Sequence, residues 1–201
     1  MALDGTNAGM LASVADFLNR ADLTAVIPYF ITLGEGQLNR RLRVRRMIQS
    51  ATQAISTELI ALPDDFLAPL SLTLSTGEDL DNLGPDALFN QKFNNNLLTG
   101  KPTSFSVIGS NIQVNPIPNQ SYTAVLTYWG VLPPLAQNAT NWLLVKHPDA
   151  YLQAALFHAY VYLNDDKAVA MDALLSATCN EIQSEFQADG ARLTPLTSQV
   201  A

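Results

Sequence analysis

The sequence predicts an α+β fold: mainly α-helical, with a helical bundle core and long C-terminal helices, plus a small antiparallel β subdomain. Three observations carry this. Apolar residues recur at helical spacing near both ends of the chain, over residues 10–44 and 141–189. Between them, over about 45–130, short alternating segments are punctuated by Pro, Gly and Asn, as strands and turns are. Residues 150–163 form an almost uncharged run, which a helix carries when it is buried on all sides. The 201 residues suit a single domain, 10–190, with a β-rich insertion. Residues 1–9 read as a flexible lead-in and 191–201 as an exposed C-terminal arm.

Taken in order, Leu11, Val14, Ala15 and Leu18 fall at i, i+3, i+4 and i+7, predicting a short helix that ends near Arg20. Pro28 suits the first turn of a second helix, where its missing N–H leaves nothing unpaired. Ile27, Phe30, Ile31, Leu38 and Leu42 give that helix an apolar face. Gly34 and Gly36 each weaken it by roughly 1 kcal/mol relative to alanine; they either permit close backbone packing or mark a kink. Leu42 and Val44 alternate with arginines, so the helix is expected to give way to a strand there.

Residues 47–62 suit a hairpin and lean towards strands, although 51–60 could also continue a helix. Leu62-Pro63-Asp64-Asp65-Phe66 is a stop signal. Leu70, Leu72 and Leu74 mark a half-buried strand, and Gly84-Pro85-Asp86 opens a short helix reaching about Phe93, with a loop over 94–102. Residues 105–108, 112–114 and 122–129 read as three strands of an antiparallel meander, turned at Gly109-Ser110 and Pro116-Ile117-Pro118-Asn119. Pro133-Pro134 breaks the sheet, and Trp142, Leu143 and Leu144 make about one helical turn. Asn138-Ala139-Thr140 reads as a cap or loop rather than a glycosylation acceptor. Pro148-Asp149 starts the apolar helix. Asn164-Asp165-Asp166 caps a last helix striped by Ala168, Met171, Leu175, Ile182 and Phe186, with Gly190 as its C-cap.

The charge balance narrows function. Hydrophobic residues make up 48 % of the chain and charged ones 14 %, against a usual charged share of about 25 %. So sparse a charge supply suggests that other subunits cover part of the surface. The net charge of −7 argues against general nucleic-acid binding, which needs a positive field. Five of the seven arginines nevertheless lie within residues 40–46. Taking those five charges away from −7 leaves −12 on the remainder, so the chain is strongly polarised. The cluster can pair with carboxylates of a neighbouring subunit or partner, form intrachain ion pairs on a solvated face, or touch DNA phosphates.

No catalytic constellation is expected. His147 and His158 are eleven residues apart with no cysteine pair nearby, so no metal site is expected. His158 reads as a core or interface histidine, with Asp165 seven residues on as a possible contact. Cys179, the single cysteine, rules out an intrachain disulfide and reads as a buried apolar group in a protein compatible with a reducing compartment. Asp64-Asp65 and Asp165-Asp166 suit turns and caps. Gly34-Glu35-Gly36 lacks the lysine of a phosphate cradle. With no leader peptide in view and no uncharged run long enough to span a bilayer, a soluble, non-enzymatic protein without cofactor is expected.

The ordered set of motifs resembles the head-to-tail adaptor (connector) proteins of tailed bacteriophages, especially those of podovirus-like particles. Residues 14–47 look like that family's opening helical pair running into an arginine-rich turn. Its Leu-Pro-x-Asp-Phe punctuation stands at Leu62-Pro63-Asp64-Asp65-Phe66, and its Val-Ile-Gly strand pair at Val107-Ile108-Gly109, Ile112, Val114, Pro116 and Pro118. Tyr128-Trp129-Gly130, Pro133-Pro134-Leu135, Asn141-Trp142-Leu143-Leu144 and Pro148-Asp149-Ala150-Tyr151-Leu152 follow. One departure is Gly34-Glu35-Gly36, where an Ala-rich helix is expected. The resemblance implies a virion component that forms a ring, typically of twelve copies, beneath the portal protein. That ring receives a tail or nozzle protein and lets DNA pass its lumen without sequence-specific binding. It makes Arg40, Arg41, Arg43, Arg45 and Arg46, with Arg192, Leu193, Pro195 and Leu196 of the arm, candidate subunit or portal contacts. The alternative is another phage ring protein, at tail completion or on the nozzle side.

Overall fold

Helical periodicity becomes helix at both ends of the chain, and alternation becomes strand in the middle. The computed structural model describes residues 4–20, 22–94 and 98–192, the last six as backbone. The first elements are α1 (Asn7–Leu18), α2 (Ile27–Arg41), a 3-10 turn (Arg45–Met47), β1 (Ile48–Ile55), β2 (Leu59–Ala61), β3 (Phe66–Leu74), β4 (Asp81–Asn82) and α3 (Pro85–Asn94). There follow β5 (Thr99–Gly100), β6 (Ser104–Ile108), β7 (Asn111–Asn115), β8 (Ile117–Pro118), β9 (Tyr122–Gly130), α4 (Trp142–Lys146), α5 (Pro148–Tyr162) and α6 (Lys167–Arg192). The fold is α+β. It divides into two compact units, a helical one made of the described residues up to Arg46 and from Leu132 onward, and a β-rich one, Met47–Val131.

In the helical unit α5 is the hub, in contact with α1, α2, α4 and α6. Ala150, Ala154, Ala155 and Ala159 are buried and keep it slim, so neighbouring helices approach closely. α2 runs unbroken through Gly34 and Gly36. Gly34 is the closest approach: a Cβ there would stand 3.0 Å from the Cβ of Ala154 and 3.2 Å from its carbonyl carbon. The expectation that α5 is buried all round holds only in part: the face carrying Ala150, Ala154, Ala155 and Ala159 is buried, but Gln153, Phe157, His158 and Tyr160 are half-buried and Asp149, Val161 and Tyr162 are exposed.

Several boundaries differ from expectation. α1 starts at Asn7, inside the expected lead-in, because the Thr6 hydroxyl accepts the Gly9 N–H at 3.0 Å. Past Arg41, Leu42 and Val44 are buried and alternate with exposed Arg43 and Arg45, yet residues 42–44 join no ladder and β1 begins only at Ile48. Asn141, not Asn138 or Thr140, caps α4, accepting the Leu144 N–H at 2.9 Å. Asn164 adopts a left-handed conformation at the end of α5 (φ 53°), and Asp165 begins α6 by accepting the Lys167 N–H at 2.9 Å. α6 continues to Arg192, past Gly190, which therefore does not cap it.

In the β-rich unit, β9 is the centre of an antiparallel three-stranded sheet, β1-β9-β3. A second sheet runs β2-β7-β6-β4, with β4 parallel to β6, and β5 pairs with β8 in parallel. The expected meander is therefore corrected: β6 and β7 form a hairpin, but β9 belongs to the other sheet. Pro116 and Pro118, between β7 and β9, have no N–H to donate to a continuing ladder. β1 and β2 are strands, each in a different sheet, so residues 47–62 are no hairpin. Ile55, Leu72, Leu74, Phe105, Ile112, Val114, Leu126 and Tyr128 fill the core between the sheets, while α3 buries Leu88. Both lysines of this unit are engaged within it, Lys92 with Glu58 and Lys101 with Glu78.

Candidate functional site

The arginine cluster divides by partner. Arg41, on the last turn of α2, reaches α6: its Nη2 donates to Asp172 Oδ1 at 2.6 Å and its Nη1 to Ser176 Oγ at 2.9 Å. The carbonyl of Arg41 accepts from Gln183 Nε2 at 2.5 Å. Arg43 Nη1 donates to the carbonyls of Asn39 and Leu42, both at 2.6 Å, closing the α2 C-terminus where a cation opposes the helix dipole. The Arg46 guanidinium lies 5.8 Å from the Trp142 ring centroid, and that ring meets Phe186 edge-on at 6.0 Å. Arg40 and Arg45 are exposed and hold no partner among the described residues. Five arginines thus share one end of α2. Arg192 is the last residue of α6, while Leu193, Pro195 and Leu196 lie outside the described residues.

The motifs themselves prove to be joints. Glu35 is 5 % exposed, and its Oε1 accepts the Leu135 N–H at 2.8 Å and the Tyr151 hydroxyl at 3.4 Å. Asn141 Nδ2 donates to Tyr151 Oη at 2.5 Å and to the Pro133 carbonyl at 2.9 Å. One buried network therefore ties Pro133-Pro134-Leu135 and the α4 cap to α2 and α5. Burial pushes the Glu35 carboxyl above the usual carboxylate range, against its two hydrogen bonds. Burial likewise raises the Tyr151 hydroxyl. In the β-rich unit, Asp65 Oδ1 accepts the Tyr128 hydroxyl at 2.7 Å and the Asp65 carbonyl accepts the Val131 N–H at 2.8 Å. Phe66 and Tyr128 pack at 5.6 Å between centroids. The Leu-Pro-Asp-Asp-Phe and Tyr-Trp-Gly segments are thus two halves of one contact.

Neither joint was legible as a site beforehand. Glu35 sits between two glycines whose cost to the helix was the visible signal, and Asp65 reads as turn chemistry. His158 packs edge-on against Phe157 at 4.9 Å. Burial and the nearby Arg40 hold its pKa below the ordinary value. Its expected contact is not made, because Asp165 caps α6 instead. Cys179 is buried, which raises its thiol pKa. Among the described residues no three His, Cys, Asp or Glu groups converge as metal ligands, and no helix is long and apolar enough to cross a membrane.

Pins of this kind hold a shape. The family model described as SU10 adaptor protein matches residues 6–199. The chain belongs to the SU10 adaptor protein family. This is a phage head-to-tail adaptor family, so the chain is a bacteriophage structural protein of the head–tail junction. No curated protein matches it. The Glu35 joint holds the Pro133-Pro134-Leu135 segment within the helical unit, and the Asp65 joint holds Tyr128 and Val131 within the β-rich one.

Proposed function

We propose that this adaptor assembles as a ring of twelve copies beneath the portal protein, receives the tail or nozzle protein, and leaves a lumen for DNA. The family match over residues 6–199 carries the reading. Its physical support is the sparse charge and the exposure of Tyr29, Leu33, Phe89, Phe93 and Val169, apolar groups left uncovered among the described residues. In this reading residues 10–190 act as one adaptor domain with a β-rich insertion, and 191–201 as an arm. The arginines at the end of α2 serve subunit or portal contacts, where guanidinium forks suit carboxylates. The net charge of −7 lets DNA slide past without adhering. The protein acts structurally rather than as an enzyme.

Negative-stain microscopy of the purified chain, alone and with its cognate portal, tests this. Closed rings, free or docked on the portal, are the expected result. A chain that stays monomeric even with saturating portal would overturn it.

A further inference from the structure

Two helix faces of this chain are exposed, unpartnered among the described residues and matched to each other. On α2, Tyr29, Leu33, Gly36 and Arg40 follow at intervals of four, three and four, so they share one face. Tyr29 is 69 % exposed, Leu33 53 %, and Arg40 is exposed with no partner among the described residues. On α3, Asp86, Phe89 and Phe93 share one face opposite buried Leu88; Phe89 is 67 % exposed and Phe93 73 %.

The spacings coincide. Leu33 and Arg40 are seven residues apart, as are Asp86 and Phe93, and each interval spans about 10.5 Å of helix. Laid antiparallel, Asp86 meets Arg40, Phe93 meets Leu33, and Phe89 falls within one residue of Gly36. A parallel arrangement would instead set Asp86 on Leu33 and Phe93 on Arg40. The antiparallel one also opposes the two helix dipoles, with Asp86 in the first turn of α3 and Arg40 in the last turn of α2.

Gly36 adds an independent observation. Unlike Gly34, it has no packing need within the chain: a Cβ there would meet only the end of the Arg40 side chain, at 3.6 Å. A residue without a side chain at this point leaves room for a ring from outside. Asp86 is also free to pair outward, since both lysines of its unit are engaged with Glu58 and Glu78.

We propose that the α2 face of one copy receives the α3 face of a second copy, in this antiparallel register. Because the two faces differ, the contact is heterologous and repeats from copy to copy, as a closed ring requires. The inference rests on the ring reading above and specifies the surface that builds it.

The test uses the full chain, alone and with its cognate portal, followed by light scattering and negative-stain microscopy. Arg40→Glu and Asp86→Lys should each weaken self-association about tenfold or more. The double variant should recover most of that loss. Gly36→Leu should block assembly while the melting temperature stays at or above that of the parent. Leu33→Cys combined with Phe93→Cys should give a ladder of covalent oligomers on oxidation. Rings that persist in every single variant, without a ladder, would overturn this surface and leave the ring reading intact. Loss in the single variants with no recovery in the double would overturn the register. A parent chain that is monomeric with and without portal would overturn both.

Discussion

Gly34 presses on Ala154 so closely that a methyl group at residue 34 would stand 3.0 Å from the Ala154 Cβ and 3.2 Å from the Ala154 carbonyl carbon. Its neighbour Gly36, two residues on, meets nothing of the kind. Alanine favours helix over glycine by about 1 kcal/mol in both cases, but overpacking costs about 1–3 kcal/mol where backbone must move. Gly34→Ala should therefore leave stability unchanged or lower it by up to about 2 kcal/mol, and Gly36→Ala should raise it by up to about 1 kcal/mol. Urea unfolding of both variants checks the opposition, and equal gains at the two positions would contradict it.

Glu35 predicts a pH dependence of definite sign. Its carboxyl titrates above 4.5 in the folded protein because burial disfavours the charge. The unfolded chain therefore ionises first as pH rises, so this group removes stability between 4.5 and its higher folded value, and the loss persists above that. Glu35→Gln retains an acceptor for the Leu135 N–H without the charge. It should be neutral or stabilising at pH 7, with its advantage over the parent vanishing as pH falls below about 4.5. Glu35→Ala leaves the Leu135 N–H and Tyr151 hydroxyl without their acceptor and should cost about 1–3 kcal/mol. Unfolding curves of parent and Gln variant across pH 4–8 decide it; a widening advantage at low pH would reverse the assignment.

How much of this could be read beforehand depends on the range of the interaction. α5 was legible because its burial is written in its own composition, and α2 because Pro28 and the Phe30–Leu38 face are local. The strand character of Leu72 and Leu74 was legible for the same reason. The placement of β9 was not: its partners Ile48–Ile55 and Phe66–Leu74 are chosen by long-range pairing, which alternation does not encode. Leu42 and Val44 alternate because their side chains are buried, yet they pair with no strand among the described residues. The arginine concentration was visible at once, but its division between Arg41, spent on Asp172, and Arg45, without a partner among the described residues, depends on where α6 lies. Glu35 was missed because a carboxylate's burial depends on Leu135 and Tyr151, a hundred residues or more away in sequence.

That division of the arginines is itself testable. Arg41 is partly shielded and bridges α2 to α6, so Arg41→Ala should cost about 0.5–1 kcal/mol of stability. Arg45→Ala removes no contact among the described residues and should stay within about 0.5 kcal/mol of the parent. On portal or ring assembly the order should reverse, with Arg45→Ala the more damaging. Thermal melts and a portal-binding assay on the same two proteins check both halves, and a large melting shift for Arg45→Ala would show that it has an intrachain role.

Tyr128 offers a spectroscopic handle on the β-rich unit. Burial, then the hydrogen bond to Asp65 and the charge of that carboxylate, push its hydroxyl up to about 12. The neutral phenol is favoured by the folded state, so its contribution is fully present below pH 10 and fades as pH rises from 10 through about 12. Ultraviolet titration should show Tyr128 ionising well after the exposed tyrosines, as buried Tyr151 also does, and Tyr128→Phe should delete one of these two late steps. Asp65→Asn removes the charge but not the burial, so the Tyr128 step should move down only part of the way towards 10. If it moved the whole way, the carboxylate and not burial would be the larger cause; if it did not move, the hydrogen bond between Asp65 and Tyr128 would not form in solution.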